Sequence, residues 1–237
     1  MTPETRSPMT PTPGGFILSA LITLTGFPAV ILLTAGDWRW LEGWIFSLWL
    51  DAMVLSNMLY LYRKDPALLA ERSRRPGSAN QQRWDAYLLT GAYVMAIVWL
   101  LIMPLDAKRF GWSPPFPAWV QVVGGLALVP ALYLIYRATV ENTYLSTLVR
   151  IQAERGQHVI STGVYGFVRH PLYLGCLLML FGAPLLLGSV YGLLIAAVGL
   201  VALVGRIIGE ERVLARELDG YDVYRQKVQY RLVPFVW

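Results

Sequence analysis

GVYGFVRHPLY at residues 163–173 and GRIIGEER at residues 205–212 bracket two apolar runs, 172–187 and 190–208. The pattern predicts a helical hairpin turning at Gly188-Ser189. A hairpin brings its two ends together, so charged groups far apart in sequence meet at one membrane surface. Gly163 permits a turn that most residues resist. Pro171 suits the first turn of a helix, where its missing N–H costs nothing. The helix therefore starts near His170. Its free N–H groups and positive dipole end make an anion site beside Arg169 and His170. His170 and Tyr173 share one helix face, and so do Arg206 and Glu210 on the second helix.

These motifs also carry a family likeness. The Arg-His-Pro turn, the apolar hairpin, the Glu210-Glu211 pair and the tail GYDVYRQKVQYRLVPF (220–235) follow one another in order. Over residues 139–237 the chain resembles the isoprenylcysteine carboxyl methyltransferase family, whose signature phospholipid methyltransferases share. The resemblance implies an integral membrane enzyme that uses S-adenosylmethionine. It implies cofactor contacts at His170, Pro171 and Tyr173. The family's segment ahead of the Gly-x-Tyr points to Gln152 by analogy, and to Gln157, His158, Val159 and Ile160 by position upstream of Gly163 and Tyr165. His158 also reads as an ordinary surface histidine of a loop. An arginine just before the Glu pair is tied to substrate in the family, and Arg206 is the residue that matches.

Methyl transfer from a sulfonium asks little covalent help of a protein. The donor must be held in line with the nucleophile and water kept out. Its methionyl carboxylate wants a cation or a helix N-terminus, which Arg169 and His170 offer. Its ammonium and ribose hydroxyls want acceptors, which Glu210 and Glu211 offer. Tyr165 and Tyr173 are placed as aromatic walls. Arg206 and Arg169 are the expected catalytic residues, with Arg206 also binding the substrate as a fork for a carboxylate.

Composition sets the class. The chain has 237 residues, 56% of them hydrophobic, and a mean hydropathy of +0.48. That is too apolar for an ordinary soluble domain. The net charge of +5 reflects loop residues beside lipid headgroups and does not call for nucleic acid. A single cysteine, Cys176, excludes an internal disulfide and a cysteine-based metal cluster. No metal site is expected.

The expected fold is all-α, a polytopic membrane helix bundle with about six embedded segments. Residues 1–15 read as a disordered tail rich in Pro, Thr and Ser. Residues 16–138 hold four spans: 16–35, 41–62, 87–105 and 118–137. Residues 139–237 hold the cofactor-binding catalytic region, with the hairpin 172–208 inside it. Pro28 is a potential kink. Trp38, Trp40 and Trp44 form an interfacial belt. Asp51 and Asn57 lie inside the second span, where a polar group either has a function or bonds to another helix. Gly124 and Gly125 allow close helix packing. Residues 210–218 read as an amphipathic helix over the site, ended by Gly220.

The basic residues are distributed unevenly. Arg6, six within 63–85, four within 137–170 and six within 206–231 share one side, leaving Arg39, Lys108 and Arg109 on the other. The positive-inside rule then places both termini and the site in the cytoplasm. The loop at 63–85 is adequately explained as a topogenic signal beside anionic lipid. The expected partners are membrane lipid and a lipophilic acceptor, such as a prenylated cysteine carboxylate. Two other readings share the pattern: a membrane reductase of sterols or enoyl lipids using NADPH, and a non-enzymatic membrane scaffold. Cofactor binding separates the three.

Overall fold

The computed structural model describes residues 12–237, and the expectations for residues 1–11, Arg6 included, lie outside the described residues. Within it the chain is helical, with no strand among the described residues. The helices are α1 (Pro13–Ala35), α2 (Leu41–Lys64), α3 (Pro66–Arg72), α4 (Arg83–Pro104), α5 (Ala118–Glu141), α6 (Pro171–Leu187), α7 (Val190–Glu217) and α8 (Tyr221–Lys227). A π-helical turn, Leu105–Phe110, prolongs α4. Five helices are long and apolar enough to cross a membrane: α1, α2, α4 with its extension, α5 and α7. The sixth, α6, has 17 residues. At about 1.5 Å per residue it falls a few ångströms short of a ~30 Å hydrocarbon core.

The boundaries follow local chemistry. The first helix opens at Pro13, with Thr12 Oγ1 accepting the Gly15 N–H, so residues 13–15 belong to it and not to a tail. The loop expected at 63–85 contains α3, because Asp65 caps the N–H of Leu68 and Pro66 occupies the first turn. His170 is the last residue before α6, as Pro171 requires. At the hairpin turn Gly188 takes φ 81°, and Ser189 caps α7 through the Gly192 N–H. The expected separate helix at 210–218 is instead the last two turns of α7. Nothing between Ile208 and Glu217 breaks the helix; the chain leaves it at Leu218 and turns at Gly220 into α8, an element that the apolar pattern does not announce.

Helices α5 and α6 pack along most of their length. A Cβ on Gly124 would stand 2.4 Å from the Leu186 backbone nitrogen and 2.7 Å from the Gly182 carbonyl, so only glycine lets the two backbones meet there. Gly125 has room and does not serve the contact. The main apolar core joins α1, α2, α4, α5 and α6 through residues such as Ile31, Phe46, Trp99, Leu128 and Leu186. Outward, Ile22, Leu33, Val94, Leu126, Val129 and Val201 are all exposed. A girdle of this kind suits lipid and not water. Inside α2, Asp51 is buried and neither carboxylate oxygen has a hydrogen-bond partner among the described residues, so the expected bond to another helix is not made. Asn57 bonds within its own helix, to the Met53 carbonyl.

The helices alternate in direction. Phe16 of α1 stacks on Tyr62 of α2 at one end. At the opposite end Lys108 pairs with Asp37, and the buried Asp106 accepts from Ser113 and Ser189. The first end therefore gathers the start of α1, the ends of α2, α5 and α7, the starts of α4 and α6, and the C-terminal tail.

Candidate functional site

At that end the segment 142–160 crosses the helix ends as an irregular strap, and buried ion pairs hold it. Arg150 makes a two-pronged contact with Glu71 of α3, Nε to Oε1 and Nη2 to Oε2, both 2.8 Å. Ser146 Oγ adds a bond to Glu71 at 2.9 Å. Burial alone would raise the Glu71 pKa. The donors Arg150, Ser146 and Arg74 outweigh it and hold the group down at about 2. The Glu71 bond in turn raises the Arg150 pKa. A second tie is Asp85, fully buried in the first turn of α4, which accepts from the Val149 N–H at 2.8 Å, Gln81 at 2.6 Å and Arg206 Nε at 2.9 Å.

A third cluster fastens the tail. Glu211 Oε1 accepts from Arg169 Nε at 2.7 Å and lies 3.2 Å from His170 Nε2, while Oε2 accepts from Arg231 Nε at 2.7 Å. Arg169 Nη1 also donates to the carbonyls of Val228 and Gln229. The backbone N–H groups of Arg169 and His170 donate to Tyr230 and Arg231, both at 2.9 Å. The Arg-His-Pro turn is thus clamped between the end of α7 and the tail.

Strap, turn and helix end enclose one cleft of about 870 Å³, counted out to its open mouth. Its walls come from Tyr144, Leu145, Leu148 and Val149 and from Gln157 to Ile160 of the strap, from Tyr165, from His170 and the first turn of α6, from Glu210, Val213 and Leu214 of α7, and from Leu218, Tyr221 and Tyr224 beyond it. The Tyr173 hydroxyl donates to Glu210 Oε2 at 2.6 Å, and the His170 and Tyr173 rings stack. The first turn of α6 has no side-chain cap, so its N–H groups are unclaimed by any neighbouring side chain. Burial raises the pKa of Tyr165, Tyr221 and Tyr224, which keeps these walls neutral.

The structure brings Gln157, His158, Val159, Ile160, Tyr165, His170, Pro171, Tyr173 and Glu210 together on this cleft. His158 is exposed and also faces the Tyr144 hydroxyl at 3.2 Å, so the surface and lining descriptions both apply. Four of the expected residues lie off this cleft or are engaged elsewhere. Gln152 is fully buried and off the cleft, spending its side chain on the Tyr144 carbonyl and Arg155. Gly163 is off the cleft too; at φ +54° its Cβ would fall 2.4 Å from Glu141 Oε1, so it makes the turn and nothing more. Glu211 stands behind the wall with both oxygens paired. Arg169 lines the cleft, yet its guanidinium is committed to Glu211 and two carbonyls, which makes it a positioning residue and not a catalytic one.

Arg206 needs a correction of its own. Its fork is occupied by Asp85 and the Thr147 carbonyl, and its guanidinium lies 5.8 Å from the centre of the Tyr173 ring. It is not free to grip a substrate carboxylate. Asp85, Glu71 and the lining residues Tyr221 and Tyr224 escaped the sequence reading as site-forming groups. A buried acid in the first turn of an apolar helix was the one available signal for Asp85.

This is a multi-pass α-helical membrane protein with a polar cleft at one end of its bundle. Residues 119–219, from α5 through the strap and hairpin to the end of α7, match the phospholipid methyltransferase family. The match covers less than half of the chain and points to a membrane methyltransferase. No curated protein matches the chain significantly.

Proposed function

We propose that the protein binds S-adenosylmethionine in the cleft and transfers its methyl group to a lipophilic acceptor, at the cytoplasmic face of the membrane. The observation that carries this reading is the convergence of three elements on one cleft: the uncapped start of α6, the Glu210 carboxylate, and the 157–160 segment of the strap. The donor set fits the cofactor. A carboxylate suits the α6 N–H groups, an ammonium and ribose suit Glu210, and adenine suits an apolar and aromatic wall.

When bound, the cofactor supplies an electrophilic methyl group on sulfur. The chain's own part is placement. Tyr173 holds Glu210 toward the cleft through its hydroxyl. Glu211, Arg169 and Arg231 lock the Arg-His-Pro turn against the tail. The strap, pinned by Glu71 and Asp85, shields the cleft from water. Arg206 orients Asp85 and Thr147, and so the strap. A carboxylate acceptor needs no general base, and the family likeness leaves both methyl ester formation and methylation of a phospholipid headgroup within this reading.

Isothermal titration of S-adenosylmethionine into the purified protein in detergent tests it. Saturable binding that weakens in Glu210→Ala at unchanged melting temperature, and in His170→Ala, is the expected result. Wild-type protein that takes up no S-adenosylmethionine, or takes up NADPH instead, overturns it.

A further inference from the structure

The loop at 63–85 supplies a cation that topology does not account for. Arg72, the last residue of α3, is partly buried and turned toward the bundle. Its one hydrogen bond is from Nη1 to the Leu145 carbonyl at 3.2 Å, and no carboxylate pairs with it among the described residues. Three buried arginines at this end are already paired: Arg150 with Glu71, Arg206 with Asp85 and Arg169 with Glu211. Leu145, whose carbonyl Arg72 holds, lines the cleft, and Arg72 lies within electrostatic reach of Tyr165 and Tyr173, which line it too, and of Cys176 of α6 and Tyr93 of α4. Burial lowers the Arg72 pKa, as expected of a cation short of a counter-charge.

The surroundings suit a bilayer ligand. Helix α6 packs on α5 but touches α4 only sparsely. Phe46 of α2 meets Trp99 of α4 edge to face at 6.1 Å, deeper in the bundle, which closes the space between those helices there. Nearer the strap Tyr93 is exposed on α4. An apolar tail lying between helices would bring its polar end toward Arg72.

We propose that Arg72 binds the anionic group of the methyl acceptor, which is an amphiphile carrying a carboxylate or a phosphate. The proposal rests on the methyltransferase reading above and deepens it. A partly buried guanidinium with no carboxylate partner among the described residues gains a charge-assisted, two-pronged contact from either anion. Arg72 lies outside residues 119–219, so it is a feature of this chain and not of the matched family region.

The test uses three probes with one farnesyl tail: N-acetyl-S-farnesylcysteine, its methyl ester, and farnesyl phosphate. Their binding to the full chain in neutral detergent is measured by thermophoresis, with the S-adenosylmethionine titration run in parallel. Wild type is expected to bind the two anions at least about tenfold tighter than the ester. Arg72→Gln should abolish that preference and leave cofactor affinity and melting temperature unchanged, and Arg72→Lys should restore part of it. Arg75→Gln, a change at an exposed arginine of the same loop, should keep it whole. A tighter carboxylate marks ester formation, and a tighter phosphate marks a phospholipid. Equal binding of ester and anions by wild type, or an undiminished preference in Arg72→Gln, overturns the proposal. Loss of S-adenosylmethionine binding by wild type would overturn the function instead, while the probe comparison still reads Arg72.

Discussion

Glu210 and Glu211 are neighbours in the chain and opposites in surroundings. One helical step of about 100° turns Glu210 into the cleft, where Tyr173 meets it, and Glu211 into a cluster of two arginines and a histidine. The two should therefore fail differently. Glu210→Gln removes a charged acceptor from the cleft and should weaken S-adenosylmethionine binding by roughly 1.5–3 kcal/mol, about ten- to a hundredfold, at unchanged melting temperature. Glu211→Gln leaves buried cations uncompensated and should cost roughly 3 kcal/mol or more of stability, read as an early loss of the tail in a thermal melt. Glu71 makes a pH prediction. Its pKa falls from 4.5 to about 2 on folding. A carboxyl with a depressed folded pKa contributes stability fully present above its unfolded pKa and lost as pH falls toward the folded one. About 3 kcal/mol of strap anchoring should thus disappear between pH 4.5 and pH 2. Melting temperatures of wild type should drop across that window, and those of Glu71→Gln should be lower at neutral pH and flatter on acidification.

At the scale of elements, the contact of α5 with α6 decides whether the cleft exists. The hydrogen-bonded ends of both helices carry the strap and the Arg-His-Pro turn, so any change in their separation reaches the site. Gly124→Leu must push a side chain into the Leu186 backbone and the Gly182 carbonyl, and no rotamer relieves a clash at Cβ. It should cost several kcal/mol and abolish cofactor binding, whereas Gly125→Ala, whose Cβ would only touch the Leu186 side chain at 3.6 Å, should leave the titration close to wild type. The continuity of α7 has a similar consequence. Because the Glu pair belongs to the same rigid rod as the membrane segment, its distance from α6 is set by packing inside the bilayer and not by a loop at the surface.

For the whole molecule, the charge distribution predicts which side the site faces. The helix directions bring the basic segments 63–85, 137–170 and 206–231 to one end of the bundle, with Arg39, Lys108 and Arg109 at the other. Single cysteines introduced at positions 75 and 109 of a Cys176→Ala background should label from opposite sides, position 75 from the cytoplasm. Labelling of both from one side would refute the sidedness.

What the residues determined by themselves is local or periodic. The apolar runs located the helices, because a hydrocarbon solvent admits only helices with all backbone groups bonded internally, but of the six expected segments five are long enough to span and α6 is short. Pro171, Gly188 and Ser189 fixed the hairpin, because each imposes a backbone state on its own position. The short spacing from Tyr165 to Tyr173 and the hairpin were enough to predict that His170, Tyr173 and Glu210 meet. What the tertiary structure decided is which charges are already spent. Arg206, Arg169 and Glu211 read as free ligands in sequence and prove to be paired, while Arg72 reads as a topological charge and has no carboxylate partner among the described residues. Those pairings join residues as far apart as Asp85 and Arg206. No periodicity records such distances, since a buried ion pair depends on where the helices bring two side chains together and not on what surrounds either one in the chain.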